Sequence, residues 1–160
     1  MVTIENYSGL YKLTSNQLID APLDKVWDYF SNPVNLQSLT PSDLSFEIQS
    51  LPRGSMKEGD IISYKIQIFP FIKTNWVTEI KSVELLRCFV DEQRYGPYKM
   101  WHHRHTFIAK GEKTEMIDEV HFKLPFGLVS SILYLPYIKP KLLGIFNYRF
   151  ERVNEIFKLK

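Results

Sequence analysis

Trp101-His102-His103-Arg104-His105-Thr106-Phe107-Ile108-Ala109-Lys110-Gly111-Glu112-Lys113-Thr114-Glu115-Met116-Ile117-Asp118-Glu119-Val120-His121-Phe122 is the stretch on which the fold turns. At its middle, Lys110-Gly111-Glu112-Lys113 has the form of a two-residue hairpin turn with Gly at the first central position. Counting outward from that turn, Phe107 faces Met116, His105 faces Asp118, His103 faces Val120 and Trp101 faces Phe122. His102 faces His121 on the other side of the sheet. Strand side chains alternate, so Trp101, His103, His105 and Phe107 share one face with Met116, Asp118, Val120 and Phe122. That face is the more apolar of the two and is expected to point inward. His102 and His121 are then expected on the solvent side.

The strand before this hairpin runs from Phe89 to Tyr95 and ends in a turn around Gly96-Pro97-Tyr98. The expected register sets Asp91 opposite His103 and Gln93 opposite Trp101. One inward face would then carry Asp91, Gln93, His103, His105 and Asp118. A buried polar group that finds no hydrogen bond costs a few kcal/mol. Here each His has an Asp opposite, so the cluster is expected largely to satisfy itself. Four uses are open for it. It could orient the polar head of an apolar ligand, transfer protons, bind a metal through His-x-His and a carboxylate, or simply fix strand register.

The same alternation runs through most of the remaining chain. Tyr11–Ala21, Leu44–Ile48, Ile62–Ile68 and Trp76–Lys81 read as strands, separated by short turns that indicate an antiparallel meander. Between the first two lie Leu23, Val26, Trp27 and Phe30 at helical spacing, with Pro22 near the start. Asn32-Pro33 ends that helix, and a second short one is expected over Val34–Leu39. The chain closes with Leu142, Ile145, Phe146, Arg149, Phe150, Val153, Ile156 and Phe157, a helical stripe beginning after Pro140. The resulting class is α+β: a curved antiparallel sheet of six to seven strands around a long C-terminal helix, with two short helices after the first strand. One helix cannot cover so broad a sheet, and a cavity between them is the expected consequence.

Composition agrees. The 160 residues are 44% hydrophobic and 14% aromatic, which suits one domain with a wide interior. The net charge of +2 is spread along the chain with no basic stripe or nucleic-acid module, so no nucleic-acid partner is expected. The most apolar segment, Phe126 to Tyr137, is too short to span a bilayer and contains Pro136. With Phe126 and Leu128, Tyr134 to Ile138 reads as an apolar lid or as a segment packed on the sheet. The one cysteine, Cys88, has no paired His and is expected to be structural. No leader is apparent, and a cytoplasmic setting is expected. There is no phosphate loop, nucleophile elbow or zinc-type spacing, so neither cofactor nor resident metal is expected.

Taken in order, Phe89-Val90-Asp91-Glu92-Gln93, Gly96-Pro97-Tyr98, Trp101-x-His103-x-His105-x-Phe107, Thr114, Asp118-x-Val120 and Pro125-Phe126-Gly127 resemble the stand-alone bacterial SRPBCC proteins. These belong to the START-related, birch-pollen-allergen-like superfamily, and some are described as cell-division-inhibitor-like. Ala21-Pro22 with Val26-Trp27-x-x-Phe30, Leu39-Thr40-Pro41, Trp76, Thr78 and Phe146-x-x-Arg149 extend the resemblance over residues 10 to 157. The resemblance implies a helix-grip fold, one domain over residues 1–160, and a deep cavity. It carries over no catalytic residues, and fold alone does not select a function.

The leading expectation is a binding protein for a small, largely apolar molecule. Tyr64, Ile66, Trp76, Trp101, Phe107, Val120, Phe122, Phe146 and Phe150 would line the cavity, with Asp91, Gln93, His103, His105 and Asp118 as polar anchors. A second reading is a polyketide cyclase or aromatase-like enzyme in which His103 or His105 shuttles protons, oriented by Asp91 or Asp118. A third is a protein–protein module, marked by a large exposed apolar patch. The sequence names no protein partner.

Overall fold

A computed structural model describes residues 2–69, 72–125, 132 and 134–158. Eight antiparallel strands form one sheet: β1 (Val2–Tyr7), β2 (Leu10–Ile19), β3 (Glu47–Ser50), β4 (Ile61–Phe69), β5 (Ile72–Glu84), β6 (Cys88–Tyr95), β7 (Met100–Lys110) and β8 (Lys113–Lys123). Their spatial order is β1-β2-β8-β7-β6-β5-β4-β3, so the N-terminal hairpin joins the meander through β2 and β8. The sheet has one strand more than expected. β1 has no fully buried side chain and alternates only over Val2-Thr3-Ile4-Glu5, too short a signal by itself, and pairing with β2 makes it a strand. The segment Leu44–Ile48 is also shorter as a strand. Leu44 ends a 3₁₀ turn, Ser45 takes a left-handed backbone with φ 44°, and pairing starts at Glu47.

Helix α1 (Leu23–Phe30) buries Val26, Trp27 and Phe30, the face that the spacing indicated. It ends at Ser31, and Pro33 opens a 3₁₀ segment to Leu39 whose first turn is capped by the Asn32 side chain accepting from the Val34 amide. The long helix α2 (Lys139–Phe157) starts beside Pro140 and turns Leu142, Phe146 and Val153 fully inward. A single π-helical turn, Tyr134–Ile138, leads into it. That turn is packed down: Tyr134 lies 4.1 Å from the Tyr11 ring and the Tyr137 hydroxyl donates to the Ile68 carbonyl at 2.7 Å. The remainder of the expected lid, Phe126 and Leu128, falls outside the described residues, as does Gly127.

Two local features shape the sheet. The β7–β8 hairpin closes at Lys110–Lys113 with Gly111 at φ +64°, a left-handed conformation that suits a residue without Cβ. Between β5 and β6 the register slips twice, around Val77/Thr78 and Ile80/Ser82, and each bulge adds bend and twist. The interior then divides into two clusters. One gathers Trp27, Phe30, Phe89 and Phe107 under α1, and the other gathers Tyr11, Trp76, Trp101, Phe122 and Phe146 toward the far end.

Candidate functional site

The β7–β8 register is the one counted from the turn: His105 opposes Asp118, His103 opposes Val120 and Trp101 opposes Phe122. Asp91 opposes His103 across β6–β7. Alternation therefore delivers His103, His105 and Asp118 to the buried face, at 4%, 6% and 4% exposure. His102 and His121 occupy the opposite face, half-buried, with ring centroids 6.4 Å apart, and Glu92 pairs with His102.

The two inward imidazoles lie side by side, 3.8 Å between centroids, clamped between two carboxylates. Asp91 Oδ2 sits 3.2 Å from His105 Nε2 and 3.4 Å from His103 Nδ1. Asp118 Oδ1 sits 2.7 Å from His105 Nδ1 and 3.4 Å from His103 Nε2. Aromatic neighbours fix the rings: Phe89 stacks on His105 at 4.2 Å, and Phe146 meets His103 edge-on at 5.9 Å.

This cluster satisfies itself less well than its pairing suggests. Only the His105 Nε2–Asp91 contact is aligned as a hydrogen bond. His103 Nε2, His105 Nδ1 and Asp118 Oδ1 are buried without an aligned partner, although 2.7 Å separates the last two. A buried polar group left in that state calls for a reason beyond register.

Burial and charge pull the four groups apart. For His105, burial opposes protonation, but the Asp118 and Asp91 carboxylates outweigh it and raise its pKa. For His103, burial and the neighbouring His105 prevail over the same carboxylates, and its pKa falls. Burial would push both acids up. The imidazole charges win instead, leaving Asp91 lowered and Asp118 well below the usual carboxylate range. The pattern favours a proton on His105 over one on His103, between two charged carboxylates.

A cavity of about 150 Å³ opens on this cluster. Of the expected lining, Tyr64, Ile66, Trp76, Asp91, Trp101, His103, His105 and Phe146 do border it. The other six expected residues do not, each for a local reason. Gln93 folds onto its own turn, its amide donating to the Tyr98 carbonyl at 2.6 Å and accepting from the Tyr98 amide. The pairing expected for it with Trp101 is absent, since the β6–β7 ladder stops at Glu92 and His102. Phe107 is consumed by the cluster under α1, 5.6 Å from both Trp27 and Phe30. Val120 and Phe122 are fully buried on β8, with Tyr11 stacked over Phe122 at 5.1 Å. Asp118 lies behind the two imidazoles. Phe150 has rotated past the cavity and is half-buried, and its carbonyl accepts from Gln17.

Several lining residues were not expected: Tyr98, Phe46, Leu39, Thr78 and, above all, Arg149. Tyr98 comes from the turn after β6, and burial pushes its phenol well above the ordinary range. Arg149 stands within the buried stripe of α2, three residues after Phe146. Its guanidinium carbon is 5.1 Å from the Phe146 ring centre, and its Nε is buried without an acceptor. The signal was present in the sequence as a lone cation inside an otherwise apolar stripe.

Asp91, His103 and His105 could each present one atom to a small cation, since those atoms lie within 4.8 Å of one another. In the structure the same atoms are engaged with one another. Cys88 is buried, with Arg104 Nη2 at 3.8 Å from its sulfur.

No family model and no curated protein sequence matches this chain. Solved structures do. Norcoclaurine synthase from Thalictrum flavum superposes with a TM-score of 0.68 at 12% identity, over 94% of this chain and 88% of the other. The ZhuI aromatase/cyclase from Streptomyces sp. R1128 gives 0.65 at 9% identity, over 90% and 93%. Protein Ms6760 from Mycobacterium smegmatis gives 0.66 at 12% identity, over 99% and 98%. This is the helix-grip fold. At such identities the likeness is one of architecture, and the resemblance to SRPBCC proteins seen in the sequence is borne out at that level. Among the described residues, no helix is long and apolar enough to cross a membrane.

Proposed function

We propose that this protein binds a small, largely apolar molecule in the cavity between the sheet and α2, with its polar end turned toward Asp91, His103 and His105. The observation that supports this is the distribution of polarity along the wall. Trp76, Trp101, Tyr64, Ile66 and Phe146 give an aromatic and aliphatic surface, and the charged lining groups stand together at one corner. Such a wall holds a ligand body by apolar burial and sets its orientation through few polar contacts. The enclosed volume corresponds to roughly five waters at about 30 Å³ each, so a ligand larger than a single ring extends beyond it. Two helix-grip neighbours carry names of small-molecule enzymes, in keeping with an occupied interior.

The test is titration with the neutral fluorophore N-phenyl-1-naphthylamine, followed by Trp emission, because Trp76 and Trp101 both form the wall. Saturable binding at one site per chain, weakened by Trp101→Ala, is the expected result. Absence of binding, or binding indifferent to that substitution, would refute it.

A second reading, acid–base catalysis on a bound polyketide-like chain, draws on one specific observation. His103 and His105 border the cavity with ring centroids 3.8 Å apart, and their surroundings move their pKa values in opposite directions, down for His103 and up for His105. His103→Gln with His105→Asn would abolish turnover on a validated substrate; unchanged turnover would sink this reading.

A further inference from the structure

Arg149 is the one Lys or Arg among the residues that border the cavity, and it forms no ion pair with any carboxylate among the described residues. Its buried Nε has no acceptor, and the guanidinium rests over the Phe146 ring. Three other Arg side chains of the meander and of α2 do pair with carboxylates: Arg87 with Glu84, Arg94 with Glu79, and Arg152 with Glu155. A guanidinium held against an apolar wall and left unpaired is expensive, and it is most useful when a ligand supplies the acceptor. A second donor lies in the same wall. Trp76 is 5% exposed, and its indole Nε1 is buried with no acceptor. The cavity therefore offers two donors without acceptors, Arg149 on α2 and Trp76 on β5, and Arg149 stands beside the His/Asp corner, since Phe146 touches both its guanidinium and His103.

We infer that the ligand is an amphiphilic monoanion, a carboxylic acid with an apolar aromatic or aliphatic body, and that Arg149 grips its carboxylate. This rests on the binding role proposed above and names the class of molecule that fills it. His105 is already engaged by Asp91 and Asp118, so Arg149 is the cation left to balance one negative charge. Asp91, in the same cavity, repels a second, and that excludes phosphate monoesters and dicarboxylates. The planar fork of Arg149 matches the two oxygens of a carboxylate. The aromatic wall receives the body.

Matched acid and alcohol pairs test this: 2-naphthoate against 2-naphthalenemethanol, and octanoate against 1-octanol, each displacing N-phenyl-1-naphthylamine. The wild-type chain is expected to prefer each acid by roughly tenfold or more, the range of a charge-assisted hydrogen bond. Arg149→Met keeps the apolar stem and should erase that preference while the alcohols keep their affinity within about threefold. Arg149→Lys keeps the charge without the fork and should retain part of the preference. Equal affinity for acid and alcohol in the wild type overturns the inference and leaves the binding role standing. So does an Arg149→Met chain, folded by circular dichroism, that loses both members of a pair alike. If the fluorophore and all four compounds fail to bind, the binding role itself falls, and this inference with it.

Discussion

Replacing Asp118 by Asn removes a charge from the most enclosed part of the molecule and leaves the shape almost unchanged. The Asp118 side chain is 6% exposed, with Oδ1 at 2.7 Å from His105 Nδ1 and 3.4 Å from His103 Nε2. Removing one partner of a buried ion pair costs about 3–5 kcal/mol. The amide oxygen of Asn still accepts a hydrogen bond and His105 can shed its proton, so the low end applies, roughly 3 kcal/mol. For a chain of this size that is a fall in Tm of about 6–12 °C. The loss must depend on pH. His105 has a raised pKa in the folded state, so its contribution is complete below the ordinary value of 6.5 and is lost as pH rises through the folded pKa. Asp118 has a lowered pKa, so its contribution is complete above 3.8 and is lost only in strong acid. Both are fully present between those two values. Urea unfolding near pH 5.5 and near pH 9 should therefore show a larger penalty for Asp118→Asn at the lower pH. An equal penalty at both, or one under about 1 kcal/mol near pH 5.5, would falsify the picture of an imidazolium held by this carboxylate.

Three further outcomes follow from the geometry. Phe122 is fully buried but stands apart from the cavity, so Phe122→Leu should cost about 1–2 kcal/mol in urea unfolding while N-phenyl-1-naphthylamine binds within about twofold of wild type. A tenfold loss of binding would show that Phe122 forms part of the wall. At Gly96 an added Cβ would lie 2.5 Å from Gln93 Oε1, which is pinned by its contact with the Tyr98 amide. Gly96→Ala should therefore cost about 1–3 kcal/mol, the loss of two partly buried hydrogen bonds, and Gln93→Ala in the same chain should remove most of the extra penalty. The cluster holds itself together with protons, so exhaustive treatment with EDTA should leave Tm unchanged within about 1 °C. A fall of several degrees would instead assign Asp91, His103 and His105 as ligands of a bound ion.

The hairpin around Gly111 was legible because three local rules coincide there: a glycine turn, alternation with period two, and a single apolar face. Together they fix which residues oppose which across it, His105 and Asp118 among them; Asp91 opposite His103 was read from the separate turn around Gly96 and also holds. The same rules were silent on β1, whose residues gain strand structure from pairing with β2 and from little burial of their own. Gln93 shows a different failure. Its inward position was read from alternation, but a turn offers side-chain amides a nearer partner than the strand across, and Tyr98 takes it.

The sequence by itself determined the element order after β1, the register of the central hairpin and the inward placement of two imidazoles with two carboxylates, because strand alternation and turn chemistry act over a few residues. Only the tertiary structure decided which buried residues meet open space. Phe107, Val120, Phe122 and Phe150 carry the same apolar signature as Trp76, Trp101 and Phe146. They differ in what the curved sheet and the two helices lay against them. Arg149 belongs to that second kind of knowledge. Its place in the apolar stripe of α2 could be read from the chain, but its lack of a carboxylate partner and its share in the cavity wall depend on how the curved sheet packs against the helix, with bulges between β5 and β6 adding to that curvature.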